Sequence, residues 1–263
     1  MSKPLVVSER GGRCNLVLTR SERGNSLSVD LVEAMHEALD STARNGVKLL
    51  VIEGEGRNFC TGFDLAGLED TADGELLARF VRIEELLARI WSAPFTTLAV
   101  AHGRTFGAGA DLFAACSVRL ALPDASFSFP GAAFGLVLGT RRLAQRIGED
   151  AALSVITGGD VIDAERAARL GLATRIVQPE DLDAALASIE RAAVRLDAHT
   201  IAALRQAAGG SGIDLDRDLA ALVRSAARPG LVQRIIAYRA KAQDKSKTDR
   251  AAAAATSQEG AVR

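Results

Sequence analysis

Apolar residues along this chain fall into two patterns. VKLLVIEG at 47–54 and TTLAVAHG at 96–103 are nearly unbroken apolar runs with β-branched residues, as expected of strands buried on both faces. LVV at 5–7 and CNLVLT at 14–19 are shorter, and Gly11-Gly12 between them predicts a turn joining two strands. From 28 to 45 the pattern changes. Val29, Val32, Met35 and Leu39 recur at helical spacing, with Ser28 placed to cap the start and Gly46 to stop the end. A second helix is predicted over 75–91 and closed by Pro94, and a further strand over 117–122 ends at the Pro123-Asp124 turn. Strands alternating with helices predict an α/β fold class.

Past Glu149 strand signals thin out. Helical stretches are predicted at 149–157, 163–170, 179–195, 199–208, 215–227 and 230–243, with TRIV at 174–177 as the last strand-like piece. This divides the chain into an α/β core over 1–195, a helical region over 196–245, and a polar, Ala-rich tail over 246–263 that is expected to be disordered.

With 263 residues, 48% of them hydrophobic, the chain can bury one large core. A formal net charge of −1 gives no basic footprint, so neither nucleic acid nor an anionic membrane surface is expected as partner. Cys14, Cys60 and Cys116 are scattered and unaccompanied by a His cluster, which argues against a disulfide framework or a metal site. No apolar run spans a bilayer and the first residues lack a secretory apolar region, so a cytoplasmic location is expected.

Two Gly-rich segments look like chemistry rather than scaffold: Phe59-Cys60-Thr61-Gly62-Phe63-Asp64-Leu65, and His102 through Asp111 with Gly103, Gly107 and Gly109. Each follows a buried strand and leads into a helix. Glycine lets backbone approach a ligand closely, and the free N–H groups of a helix start carry the positive end of its dipole. Either loop alone could be an ordinary turn; two together could hold an oxyanion.

The pair resembles the two signatures of the enoyl-CoA hydratase/isomerase (crotonase) family, F-x-A-G-x-D-L followed by N-G-x-x-x-G-G-G-x-E. The resemblance extends to Gly24-Asn25-Ser26-Leu27-Ser28 and to Leu170-Gly171-Leu172-Ala173. It implies a crotonase-like spiral of ββα units with a C-terminal helical region that builds homotrimers or homohexamers. It implies an acyl-CoA thioester as substrate, with coenzyme A entering as part of that substrate and no permanently bound cofactor. By motif position the thioester oxygen would receive the backbone N–H groups of Phe63 and Ala108. Such a donor is worth about 2.7–4 kcal/mol in the transition state.

The resemblance places Cys60, Thr61, Gly62, Asp64, Leu65 and Gly107 along the bound thioester. Asp64 is also read as the cap of the helix that follows its loop. Arg23, Arg239 and Lys241 are implied as cations for the coenzyme A phosphates. Hydratases of the family use two glutamates. The first falls on Asp111, which as a first-turn acid also suits the helix dipole; the second falls on Gly131, and the loop after it carries no acid. With one titratable group left, the expected activity is proton transfer by Asp111 through an oxyanion-stabilised enolate, with hydration weak. A coenzyme A thioester-binding protein without hydratase activity, or another reaction through the same enolate such as thioester hydrolysis, dehalogenation or C–C cleavage, is the alternative. Glu69 and Asp70 are read as exposed charges, His102 as structural, and Arg141 and Arg142 as helix-surface charges.

Overall fold

The computed structural model describes residues 3–208 and 212–244. Two sheets carry the fold. The larger has the order β1-β2-β3-β4-β6-β9, formed by Leu5–Arg10, Arg13–Leu18, Leu49–Gly54, Thr96–Ala101, Val118–Ala121 and Arg175–Ile176. Its first two strands are the antiparallel hairpin, and every later pairing is parallel. The continuous apolar runs take the central places because those strands are covered on both faces. Leu50 and Ile52 of β3, with Ala99 and Ala101 of β4, belong to the main core, while Leu49, Val51, Leu98 and Val100 pack on the other side with Ala185, Leu186 and Ala193. The alternation is the period of two that a strand imposes.

The smaller sheet has the order β5-β7-β8, from Arg104–Phe106, Ser126–Ser128 and Ile162–Asp163. It departs from expectation, since 96–103 reads as one strand followed by a loop. The chain instead leaves the large sheet after Ala101 and joins the small one at Arg104.

Helix α1 spans Val29–Arg44, and the Ser28 side chain accepts from the Leu31 N–H at 3.3 Å as its cap. Its inward face differs by one position from the expected stripe: Val29 is 49% exposed, and Leu31 is buried beside Val32, Met35 and Leu39. Helix α2 (Asp73–Ser92) crosses it, α3 (Ala108–Ala115) is buried throughout, and α4 (Thr140–Ile147), α5 (Glu149–Gly158), α6 (Ala164–Leu170) and α7 (Leu182–Ala193) complete the core layer. The helical C-terminal third is as expected: α8 (Ala198–Ala207), α9 (Gly212–Ala226) and α10 (231–244). Leu222 and Ala226 of α9 and Leu231, Val232 and Ile235 of α10 pack on Leu76 and Phe80 of α2. Helix α8 buries no side chain. The tail expected over 246–263 lies outside the described residues. Among those residues no helix is long and apolar enough to cross a membrane, and no group of metal-ligating side chains is found.

Candidate functional site

The sheet switch brings the two glycine loops together. Cys60 forms an isolated parallel bridge with Thr105 of β5: the Cys60 N–H donates to the Arg104 carbonyl at 3.3 Å and Phe106 donates to the Cys60 carbonyl at 3.0 Å. The approach is so close that a Cβ on Gly109 would lie 2.2 Å from the Cys60 oxygen, and one on Gly62 would lie 2.8 Å from the Phe106 oxygen. Gly62 has φ +100°, a conformation open to glycine alone without strain.

The segment from Gly24 to Leu27 holds the first loop from its other side. Leu27 bridges Phe63, donating to the Gly62 carbonyl at 2.7 Å and accepting from the Asp64 N–H at 3.2 Å. In such a parallel bridge Phe63 turns its own N–H away from Leu27. Among the described residues the Phe63 N–H donates to no other backbone group. The Ala108 N–H does not either, because it opens α3 and has no carbonyl one turn back to receive it. Both donors are left without a backbone partner.

Both residues line one cavity of about 240 Å³. Thr61, Gly62, Leu65, Gly107, Asp111 and Gly131 line it too, so most of the expected site residues come together there. The rest of its wall is mainly apolar, with Phe80, Leu136, Leu138, Ile156 and Ile235 among the side chains and Tyr238 reaching in from α10. The Phe63 ring stacks on Phe80 at 4.4 Å, with the Arg79 guanidinium 4.4 Å above it.

Asp111 is the acid of this cavity. It is 5% exposed, and burial pushes its carboxyl well above the usual range; Arg142 opposes the shift and Glu84 adds to it. Its side chain accepts no hydrogen bond among the described residues. It lies against the backbone at Gly139, the residue before α4. Gly131 stands in a 3-10 turn over Pro130–Phe134 at the cavity wall, and a Cβ there would meet only ordinary contacts, the nearest being the Leu136 oxygen at 3.5 Å.

Other expected residues lie elsewhere. Cys60 is fully buried, its thiol pushed up to about 12 by burial, and it contributes backbone rather than a reactive group. Asp64 caps no helix: the 3-10 turn over Leu68–Asp70 and α2 have Gly67 and Ala72 at their N-cap positions, and neither has a side-chain cap. It accepts instead from the Ala66 N–H at 3.0 Å and from Arg20 at 2.7 Å. Burial alone would raise its carboxyl, but these donors hold it below the ordinary value. Arg23 and Lys241 are exposed, and Arg239 pairs with exposed Glu69 at 3.3 Å; none of the three lines the cavity. Asp70 is exposed and His102 Nε2 contacts the Gly56 carbonyl at 3.0 Å, a structural role as expected.

Arg141 and Arg142 are not surface charges. Arg142 is 0% exposed and makes a two-pronged pair with Glu84 of α2, at 2.8 and 2.5 Å, and a third bond to Asp218 of α9 at 3.0 Å. Arg141 pairs with the same Asp218 at 2.9 and 2.7 Å. This buried charge network, which ties α2, α4 and α9 together behind Asp111, has no local sequence signal. Neither does Arg20, whose link to Asp64 spans 44 residues.

The enoyl-CoA hydratase/isomerase family model matches residues 14–259. Mycobacterium bovis echA6, named for enoyl-CoA hydratase, is 33% identical over 179 residues, 67% of this chain and 72% of its own length. Rat ethylmalonyl-CoA decarboxylase is 32% identical over 181 residues, 65% of this chain and 59% of its own. A Bordetella parapertussis structure titled as an enoyl-CoA hydratase/isomerase matches with TM-score 0.88 at 45% identity, covering 91% of this chain and 99% of that one. The Bacillus halodurans enoyl-CoA hydratase structure, at 21% identity and TM-score 0.78 over 89% of this chain and 99% of that one, shares the fold.

Proposed function

The chain belongs to the enoyl-CoA hydratase/isomerase family, and on that premise we propose that it is an enzyme acting on an acyl-CoA thioester through an oxyanion-stabilised enolate. One observation carries the reading: two backbone N–H groups without backbone partners, from Phe63 and Ala108, belong to the same cavity as a single buried acid, Asp111. The thioester oxygen sits between the two amides. Because negative charge grows on that oxygen only as the enolate forms, the amides stabilise the transition state more than the bound substrate. Asp111 exchanges a proton with the enolate carbon. Its apolar surroundings keep the proton on the carboxyl above the ordinary range, which suits it to give a proton to carbon and, once ionised, to take one back.

Gly131 leaves the cavity without a second acid to position water, so isomerisation or protonation of an enolate fits better than hydration. A specific observation favours enolate protonation after C–C cleavage: the similarity to ethylmalonyl-CoA decarboxylase, combined with a buried acid whose carboxyl is held above the ordinary carboxylate range. Loss of carbon dioxide from a 2-carboxyacyl-CoA leaves the enolate, and the Asp111 proton then completes the product.

The test is a parallel assay of the purified protein with crotonyl-CoA, a 3-enoyl-CoA and a 2-carboxyacyl-CoA, followed by absorbance and mass spectrometry. Turnover of the second or third, abolished in Asp111→Asn while thioester binding remains, is the expected result. Binding without turnover of any of the three would leave a coenzyme A thioester-binding protein. A liganded structure with the thioester oxygen out of hydrogen-bond reach of both amides would remove the reading altogether.

A further inference from the structure

A second cavity, of about 370 Å³, lies between the ends of α2, α4 and α8, lined by Trp91, Ser92, Ser117, Gln145, Arg146 and Arg205 among others. It shares no lining residue with the acyl cavity. Arg146 and Arg205 line it, and buried Arg119 shares a hydrogen-bond acceptor with Arg146. Arg119 and Arg146 both donate to the Cys116 carbonyl, each at 3.0 Å, so two guanidinium groups converge on one oxygen. Arg205 donates to the Trp91 and Phe95 carbonyls at 2.9 and 3.0 Å, and Arg146 lies 4.3 Å over the Trp91 ring.

Each of these hydrogen bonds goes to a carbonyl, mostly at the C-terminal ends of α2 and α3. A helix end offers roughly half a negative charge. Two such ends cannot balance three guanidinium groups, and among the described residues none of the three arginines has a carboxylate partner. Burial, with the repulsion of Arg119 and Arg205, pushes Arg146 down to about 9, which still leaves it charged at neutral pH.

The N–H groups are unevenly used. Arg119 is 5% exposed and spends all three of its nitrogens on carbonyls. Arg146 uses Nε and Nη2, and Arg205 uses Nη1 and Nη2. Among the described residues that leaves Nη1 of Arg146 and Nε of Arg205 without a hydrogen-bond partner, and neither is sealed from solvent. Capping of helix ends explains the bonded nitrogens; it does not explain the excess charge or the open donors.

We propose that this pocket binds a small oxyanion of the phosphate or carboxylate class between Arg146 and Arg205, against Trp91. Planar guanidinium donors suit such groups, and a partly enclosed site strengthens their attraction. Trp91 is the chain's single tryptophan, so its emission reports on the pocket directly. Phosphate and citrate are titrated at ionic strength held constant with chloride. A saturable change in emission is expected with at least one of them, the tighter probe naming the phosphate or carboxylate source, and Arg205→Gln should raise the half-saturating concentration about tenfold through loss of one charge-assisted contact. Because Arg205→Gln could loosen α8, wild-type crystals soaked in selenate provide a second measurement, with an anomalous peak expected between the two side chains. A response that merely follows ionic strength, with no selenate in the pocket, would overturn the proposal, as would an acidic side chain from a second copy already filling it.

Discussion

Oδ1 of Asp111 lies 2.0 Å from the point where a Cβ on Gly139 would stand, so the carboxyl rests on bare backbone just ahead of α4. No other residue can occupy position 139 while Asp111 stays where it is. Gly139→Ala would also strain a backbone at φ +67°. It should lower turnover about 10²-fold or more by displacing the acid proposed to carry the proton, with thioester affinity little changed and stability reduced by about 1–3 kcal/mol. Steady-state kinetics, a binding isotherm and a denaturant melt check this. Wild-type kcat in a folded Gly139→Ala would show that Asp111 has no part in the chemistry.

Asp111 also sets a pH dependence of stability. Its carboxyl is raised in the folded chain, so the unfolded chain ionises first as pH rises and the folded state loses stability from about pH 4 upward, until the folded carboxyl itself ionises. Asp111→Asn removes the penalty. Its melting temperature should exceed that of wild type at neutral pH, with the difference vanishing below about pH 4. A constant difference across that range would mean that the carboxyl is not perturbed by burial.

Position 131 has room for a side chain, since an added Cβ would meet nothing closer than 3.5 Å. Gly131→Glu combined with Asp111→Glu should therefore raise hydration of crotonyl-CoA above the wild-type level, because two carboxyls can then position water and exchange the α-proton. The absorbance of the enoyl thioester follows it. A well-folded double variant with unchanged hydration would mean that the cavity does not hold the acyl group as proposed.

The loops and central strands were legible in the sequence and the charge network was not, for a physical reason. A run such as Leu49–Ile52 reads as a buried strand because it is short, continuously apolar and carries β-branched Val51 and Ile52. Strands β5, β7 and β8 are 3, 3 and 2 residues long, too short to show any period. Whether an arginine is buried depends on what arrives opposite it: the partners of Arg142 come from 58 and 76 residues away. Val29 illustrates the same limit, since helical spacing gives a face without saying which of its edges meets the core.

The Glu84–Arg142 pair makes a direct stability prediction. Arg142→Met leaves Glu84 buried and unpaired, which should lower stability by about 3–5 kcal/mol. Adding Glu84→Leu should restore part of the loss, because no charge is then stranded between α2 and α4. Denaturant midpoints of the single and double variants measure the coupling; strict additivity would mean that the two groups do not form a pair in solution.

Assembly is open to direct measurement. By family resemblance the C-terminal helical region is expected to build trimers or hexamers, and α8, which buries no side chain of its own, leaves Leu204 56% exposed. Light scattering should give a mass that is a multiple of three of the 27.6 kDa chain. A monomer at micromolar concentration would contradict it.

The Cys60–Thr105 bridge has a consequence for how such a protein changes over time. It ties the loops that carry the Phe63 and Ala108 amides together through main-chain atoms, so substitution of the surrounding side chains leaves those two amides in register. Acids at positions such as 111 and 131 can then be gained, shortened or lost one at a time. New chemistry can be tried by single point mutations on a scaffold whose two backbone amides stay in place.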